Sequence, residues 1–275
     1  MKKKKIWILQ WVLIVLLVLY IILPLFLVVI NSFKTHNEII KNPLALPMNG
    51  LYFENYSAAW KYGNYATGFA NSLKLAVTAI VFAVIPASLA GYSLSTKKFR
   101  GDGLVKSYFL MAMTVPLQLF LFPLYAVYAK LDLIGNVYAV ALIISAINMP
   151  LSVMLMRTFF FNIPIEIEEA AKIDGANSRQ VLTQVMMPMV FPGIITVSTI
   201  VGINAWNEFL ITSTFLQGAK NFTVTLGYRA FNYVFSVDQG MMMAGALIII
   251  IPTIIFFLSL QKYVVDGLVI GAVKG

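Results

Sequence analysis

The chain has no cysteine, and its 275 residues include a single histidine, His36. Absence of cysteine rules out disulfides, a thiolate nucleophile and soft-metal thiolate sites. His36 has no acid or serine pattern around it, so imidazole catalysis is not expected. No hydrolytic or metal-ligating constellation occurs elsewhere in the sequence. There is no Gly-x-x-x-x-Gly-Lys-Ser/Thr loop to cradle nucleotide phosphates, and no acidic partner site for magnesium. Charge is scarce too, at 11% of residues. The sequence is instead 60% hydrophobic with a mean hydropathy of +0.85, too apolar for a soluble domain.

A bilayer crossing takes about 20 mostly apolar residues. Six segments qualify, at 7–32, 69–95, 105–128, 135–159, 185–215 and 240–264. With no repeat, low-complexity tract or compositional shift, the expectation is an all-α polytopic membrane protein forming one integral domain over residues 1–275. The apolar run after Lys2, Lys3, Lys4 and Lys5 is too long for a signal-peptide core and no small-residue cleavage site follows it, so it reads as a retained first span. With both termini cytoplasmic, thirteen of the 20 basic residues fall on the inner side, Lys97, Lys98, Arg100 and Arg157 among them. The net charge of +9 then reflects topology and contact with anionic lipid, without a need for nucleic acid. Pro24, Pro86, Pro116, Pro123, Pro150, Pro192 and Pro252 fall inside the expected spans, where each removes a backbone hydrogen bond and can kink its helix. Ala87 and Gly91, four apart, suit close approach of a neighbouring helix.

Residues 31–68 are polar and punctuated by Pro43, Pro47, Gly50 and Gly63, as expected of an external loop. Within it, residues 51–60 suit a short interfacial helix held by its aromatics. The long charged loop between spans four and five is more informative. Pro164 fits a helix N1 position, and Glu166, Glu168 and Glu169 sit where the positive end of the helix dipole favours acids. Gly175 supplies a left-handed stop, and Asn177 with Gln180 three residues later reads as a capping-box variant opening a second helix. The pattern is helix, tight turn, helix, with Ala170 and Ala171 giving a small-sided face that another protein's cleft can receive. An amphipathic connector lying along the membrane has the same spacing.

Glu169-Ala170-Ala171, then three residues, Gly175, nine residues and Val185-Met186-Met187-Pro188, resembles the EAA loop of ABC-importer permeases. Val185 and Met187 replace the usual Ile and Leu and keep the apolar bulk. Asp174-Gly175-Ala176, Trp206-Asn207-Glu208-Phe209-Leu210, Glu54-Asn55-Tyr56, Asn71-Ser72 and the terminal 267–275 segment extend the resemblance over nearly the whole chain, to the smaller six-span permease of the carbohydrate-uptake branch that includes the maltodextrin importer. The resemblance implies a second, homologous permease, two ATPase subunits carrying ATP and magnesium, an extracytoplasmic solute-binding protein, and a place in the bacterial cytoplasmic membrane. It implies a coupling helix built on Glu168, Glu169, Ala170, Ala171, Asp174 and Gly175 and followed by Pro188. It also implies that the 271–275 tail reaches the ATPase interface and that Thr223-Val224-Thr225-Leu226-Gly227 faces the binding protein, a stretch that otherwise reads as a hairpin.

Candidate solute-pathway residues are Asn204, Asn207 and Glu208, since a carboxylate within a span is costly unless it faces the bundle interior, a cavity or a partner. On a continuous helix these three share one face while Trp206 points elsewhere, and Asn204 lies roughly 24 Å above Pro188. Their amide and carboxylate groups suit sugar hydroxyls, and equally suit helix–helix bridging. Trp206 offers an aromatic face to a pyranose. Asn148 and Gln118 are weaker candidates. The expected function is ATP-driven import of a sugar or oligosaccharide by alternating access. Another polar solute such as a polyol or glycerol phosphate, a self-sufficient secondary carrier, or a channel or scaffold are the alternatives, separated by dependence on ATP.

Overall fold

The computed structural model describes residues 2–96, 100–233 and 238–272, and among these every regular element is a helix. In chain order they are α1 (Lys2–Ser32), α2 (His36–Lys41), α3 (Glu54–Tyr62), α4 (Tyr65–Thr96), α5 (Asp102–Ala112), a 3-10 turn at Leu117–Phe120, α6 (Leu121–Lys130), α7 (Val137–Phe161), α8 (Ile165–Ile173) and α9 (Ser178–Gln180). A π-helical stretch at Val181–Met186 leads into α10 (Met187–Met189), α11 (Phe191–Asn207), α12 (Leu210–Phe215), α13 (Val224–Tyr228) and α14 (Gln239–Ala272). Lys97, Lys98 and residues 273–275 of the terminal segment lie outside the described residues.

Among the described residues four helices are long and apolar enough to cross a bilayer unaided, and six crossings result only if two bent pairs each count as one. The expected third span breaks between α5 and the 3-10 turn with a 90° bend, and the fifth breaks between α10 and α11 with a 72° bend. Pro116 sits at the first break with extended backbone (φ −66°, ψ 125°), and Pro192 opens the helix after the second. Pro24, Pro86, Pro150 and Pro252 instead lie inside uninterrupted helices. A lost N–H bond therefore breaks the chain only where the neighbouring backbone also leaves the helical region.

The chain divides into two compact units, Met1–Ala66 with Gly227–Pro252, and Thr67–Leu226 with Thr253–Gly275. In the first, Asn55 is buried on α3, and its Nδ2 donates to the carbonyls of Ser32 and Lys34, each at 2.8 Å. The end of α1 needs such donors, because its last carbonyls have no helical partner. The Tyr56 and Ser32 hydroxyls meet at 2.8 Å, and the rings of Phe53 and Tyr56 pack on Phe33. The Glu54-Asn55-Tyr56 motif is thus a structural latch. Asn55→Ala leaves two buried carbonyls without their donor, at a cost of about 1–3 kcal/mol, and the expected readout is a lower Tm of the purified protein in mild detergent.

The second unit holds the main core. Leu75, Ala79, Ala83 and Ala87 on α4, Val140, Ile144, Val153 and Met156 on α7, and Val197, Val201 and Ala205 on α11 are buried together. Spacings of four place the α4 set and the α11 set each on one helix face, whereas on α7 the nine-residue gap puts Val140 with Ile144 on one side and Val153 with Met156 on the other. The small pair expected on α4 acts as a contact: a Cβ on Gly91 would lie 2.7 Å from the Arg157 backbone nitrogen and 2.8 Å from Met156 Cβ. Backbone cannot yield as a flexible side chain can. Gly91→Val is expected to force α4 and α7 apart and to reduce the yield of monodisperse protein on size-exclusion chromatography several-fold, the overpacking cost being about 1–3 kcal/mol or more.

Candidate functional site

Two places in the second unit gather the residues singled out in the sequence. The first is the charged loop. α8 begins at Ile165 with Glu166 and Glu168 in its first turn, and Pro164 is its N-cap in extended conformation (ψ 134°), one position before the N1 site expected of it. Asp174 caps the other end. Gly175 follows at φ +89°, a left-handed conformation that costs glycine nothing. The Gly175 N–H donates to the Lys172 carbonyl and the Ala176 N–H to Ala171, closing the last turn. The Asn177 side chain accepts from the Arg179 and Gln180 backbone, and Gln180 Oε1 accepts from Asn177 N at 2.9 Å, so the capping box forms in full. The second helix is a single turn before the π-helical stretch, which ends next to Pro188. Glu169, Ala170, Asp174 and Gly175 are exposed, Ala171 is half-buried, and Ile173 is 84% exposed despite being apolar.

Glu168 departs from the coupling set expected in the sequence: it is buried, and its Oε1 accepts from the Tyr92 hydroxyl of α4 at 3.1 Å and from Lys172 Nζ at 2.6 Å. It ties the loop to the membrane helices and is not on the outward face. Its Oε2 and Asn162 Nδ2 are buried without a hydrogen-bond partner among the described residues. Both residues line a cavity of about 460 Å³ beneath the loop, with Ser95, Pro164 and Met186. Tyr92 and Asn162 were missed in the sequence, since each sits in an apolar run with nothing in its spacing to mark it. The Glu168–Lys172 pair at i,i+4 was legible as spacing alone.

The second place lies between α7 and α11. Asn148, Asn204, Asn207 and Glu208 line a cavity of about 240 Å³, with isoleucines as its apolar wall. Asn204 Nδ2 donates to Asn148 Oδ1 at 2.7 Å. Asn148 Nδ2 donates to the Ile144 carbonyl at 2.9 Å, and Asn207 Nδ2 to Ile203 at 3.0 Å. Glu208 is not on the helix, contrary to the expected continuous span. The helix ends at Asn207, and Glu208 follows with extended backbone (φ −64°, ψ 124°), its Oε1 accepting from Ile211 N at 2.6 Å as a cap on α12. The 72° break at Val190 likewise removes the straight 24 Å rise from Pro188 to Asn204. Gln118 is exposed on the 3-10 turn and does not line this cavity.

Trp206 packs on Phe69, its Nε1 is buried without a partner among the described residues, and it is not among the residues that line the cavity. The Thr223–Leu226 stretch is no hairpin: α13 starts within it, and Thr223, Val224 and Leu226 are buried. Val224 N donates to Ser72 Oγ, Thr225 Oγ1 to the Trp206 carbonyl, and Asn71 Nδ2 to the carbonyls of Lys220 and Phe222. The Asn71-Ser72 motif thereby holds the loop against the helices.

A model of the family described as binding-protein-dependent transport system inner membrane component matches residues 79–269. Among similar chains, a probable ABC transporter permease protein of Bacillus subtilis is 32% identical over 96% of this chain and 88% of its own length. The arabinooligosaccharides transport system permease protein of Halalkalibacterium halodurans is 28% identical over the full length of both. The diacetylchitobiose uptake system permease of Streptomyces coelicolor is 28% identical over 95% of each. In fold, the chain is similar to a chain of a bacterial ABC transporter involved in the import of the acidic polysaccharide alginate, with a TM-score of 0.80, 22% identity, and coverage of 93% and 95%.

Proposed function

Because this chain belongs to the family of binding-protein-dependent transport system inner membrane components, we propose that it carries a sugar or oligosaccharide inward by alternating access. It is a multi-pass membrane protein and a permease subunit of an ABC transporter. The sugar assignment takes its support from relatives whose names specify arabinooligosaccharides and diacetylchitobiose. Its partners in this reading are a second, homologous permease, two ATPase subunits that bind ATP and magnesium, and an extracytoplasmic solute-binding protein. Both termini face the cytoplasm, which puts the charged loop on the ATPase side.

The observation that carries the mechanism is the exposed end of α8. Glu169, Ala170, Ile173 and Asp174 are presented to solvent, the left-handed Gly175 fixes the turn behind them, and buried Glu168 anchors the same helix to α4. An exposed isoleucine beside small and acidic residues is a docking surface, and its tie to α4 lets movement of a docked ATPase reach the spans as a rigid-body displacement. Pro188 closes the segment between this loop and α11. At the other end of the path, Asn148, Asn204, Asn207 and Glu208 meet the solute, while Gln118 is left to the 3-10 turn. The test is to tag the chain, extract it in mild detergent, and reconstitute what copurifies with its binding protein into liposomes. Recovery with an ATPase and a second permease, and sugar uptake that requires ATP, is the expected result. Recovery alone, or uptake driven by a proton gradient without ATP, overturns the reading.

A further inference from the structure

The cavity between α7 and α11 has a definite hydrogen-bonding polarity, fixed by backbone carbonyls. The Ile144 carbonyl can only accept, so the group of Asn148 facing it is the amide nitrogen. Asn148 Oδ1 therefore faces Asn204, which must offer its own nitrogen across the 2.7 Å contact. Asn207 is oriented in the same way by the Ile203 carbonyl. Each amide nitrogen spends one N–H within the protein and keeps a second, and the carbonyl oxygens of Asn204 and Asn207 have no partner among the described residues. A row of groups that both donate and accept is complementary to hydroxyls, which do the same.

Glu208 differs from the amides. One carboxylate oxygen caps Ile211 N, and the other accepts only. Among the described residues no lysine, arginine or histidine lines the cavity, so the one formal charge among them is negative. Asn148 is buried and holds Asn204 through the 2.7 Å bond, while Asn204 and Asn207 themselves are exposed and Glu208 is half-buried, so the polarity is anchored on a buried amide and presented on an open wall.

Resting on the sugar-permease reading, we propose that this wall selects by charge: it passes hydroxyl-rich solutes that are neutral or carry an amine, and rejects uronates and sugar phosphates. A hydroxyl pair satisfies the Glu208 carboxylate, and an ammonium satisfies it more strongly, because donor and acceptor are then both ionised and of opposite charge. A carboxylate or phosphate on the solute meets a like charge that no cation among the described lining residues compensates. The fold is similar to that of a chain from an importer of an acidic polysaccharide, but charge preference follows from the residues lining a site and not from its fold. The same argument excludes glycerol phosphate, one of the alternative polar solutes, for this chain.

The test uses the complete transporter with its binding protein in liposomes loaded with ATP. It is offered a mixture of oligosaccharides from starch and cellulose (neutral), chitosan (amine-bearing) and alginate (uronate), and the lumen is assayed by mass spectrometry. Accumulation confined to neutral or amine-bearing species is expected. ATP-dependent accumulation of uronates overturns the charge selection and leaves the sugar reading standing, whereas accumulation of nothing overturns both. On the sugar that accumulates, Glu208→Lys is expected to lower the uptake rate at least tenfold with the binding protein's own affinity unchanged. Glu208→Gln, which keeps an acceptor for Ile211 N, is expected to lower it about threefold. Wild-type rates in both variants overturn the assignment of Glu208 to the path.

Discussion

Gly175→Val is expected to reduce ATP-driven uptake at least tenfold while leaving the amount of protein in the membrane unchanged. The backbone at this position has φ +89°, and a Cβ placed there has no atom within 4 Å, so the substitution meets no neighbour. The cost is purely conformational. An L-residue in the left-handed region loses roughly 1–2 kcal/mol, and a β-branched side chain is worse placed there than most. The chain relieves that strain by leaving the left-handed region, which undoes the closing bonds from Gly175 N to Lys172 and from Ala176 N to Ala171. The exposed Glu169, Ala170 and Ile173 then lose their fixed direction relative to the capped turn at Asn177. A factor of ten corresponds to about 1.4 kcal/mol, within reach of this strain. Nothing within the apolar spans changes, so insertion proceeds. Gly175→Asn, which tolerates the left-handed region, is expected to retain most uptake. Uptake in proteoliposomes, normalised to immunoblotted protein, decides the matter: wild-type uptake by Gly175→Val removes the turn from the coupling path.

That this turn could be read from the sequence, and the cavity only in part, has a physical explanation. The stop at Gly175 and the Asn177–Gln180 capping box are local: each is decided within five residues by backbone conformation and a side chain reaching its own main chain. The apolar spans are legible for the same kind of reason, since length and composition determine what a bilayer accepts. The breaks were not. Seven prolines of the expected spans give the same local signal, yet Pro24, Pro86, Pro150 and Pro252 sit in unbroken helices, Pro123 lies in the short α6, and Pro116 and Pro192 border bends. The difference lies in what neighbouring helices hold in place, which sequence spacing does not carry. Glu208 shows the consequence. It lines one cavity with Asn204 and Asn207, but the helix expected to group them ends one residue earlier, and the carboxylate reaches the cavity from a cap position. The contact of Asn148 with Asn204 spans 56 positions, and that of Tyr92 with Glu168 spans 76. Both require the tertiary packing of α4, α7 and the segments that follow.

Glu168→Ala is expected to loosen the whole charged loop, lowering the Tm of the purified transporter and the sugar moved per ATP hydrolysed. Two bonds end on Glu168 Oε1, and they are not equivalent. The Lys172 ammonium is on a side chain that is 51% exposed, so that ion pair contributes less than about 1 kcal/mol. The Tyr92 hydroxyl is different: both residues are buried, and removing the carboxylate takes away a buried acceptor of this hydroxyl, at about 1–3 kcal/mol. The bond is also a joint between α8 and α4, with Phe160 packed edge-on against the Tyr92 ring behind it. Without it, a docked ATPase moves α8 with less effect on the spans. Hydrolysis continues while uptake falls, and the expected ratio of uptake to ATP drops about threefold or more. Tyr92→Phe keeps the ring packing and removes only the hydroxyl, at a smaller cost of about 1 kcal/mol, and Glu168→Gln keeps an acceptor and is expected to lie nearer wild type. In the double variant Glu168→Ala/Tyr92→Phe the two losses are expected to be less than additive, because they remove one shared bond. Strict additivity in Tm and in the coupling ratio would mean that the two side chains act separately and that the loop is held to α4 by packing alone.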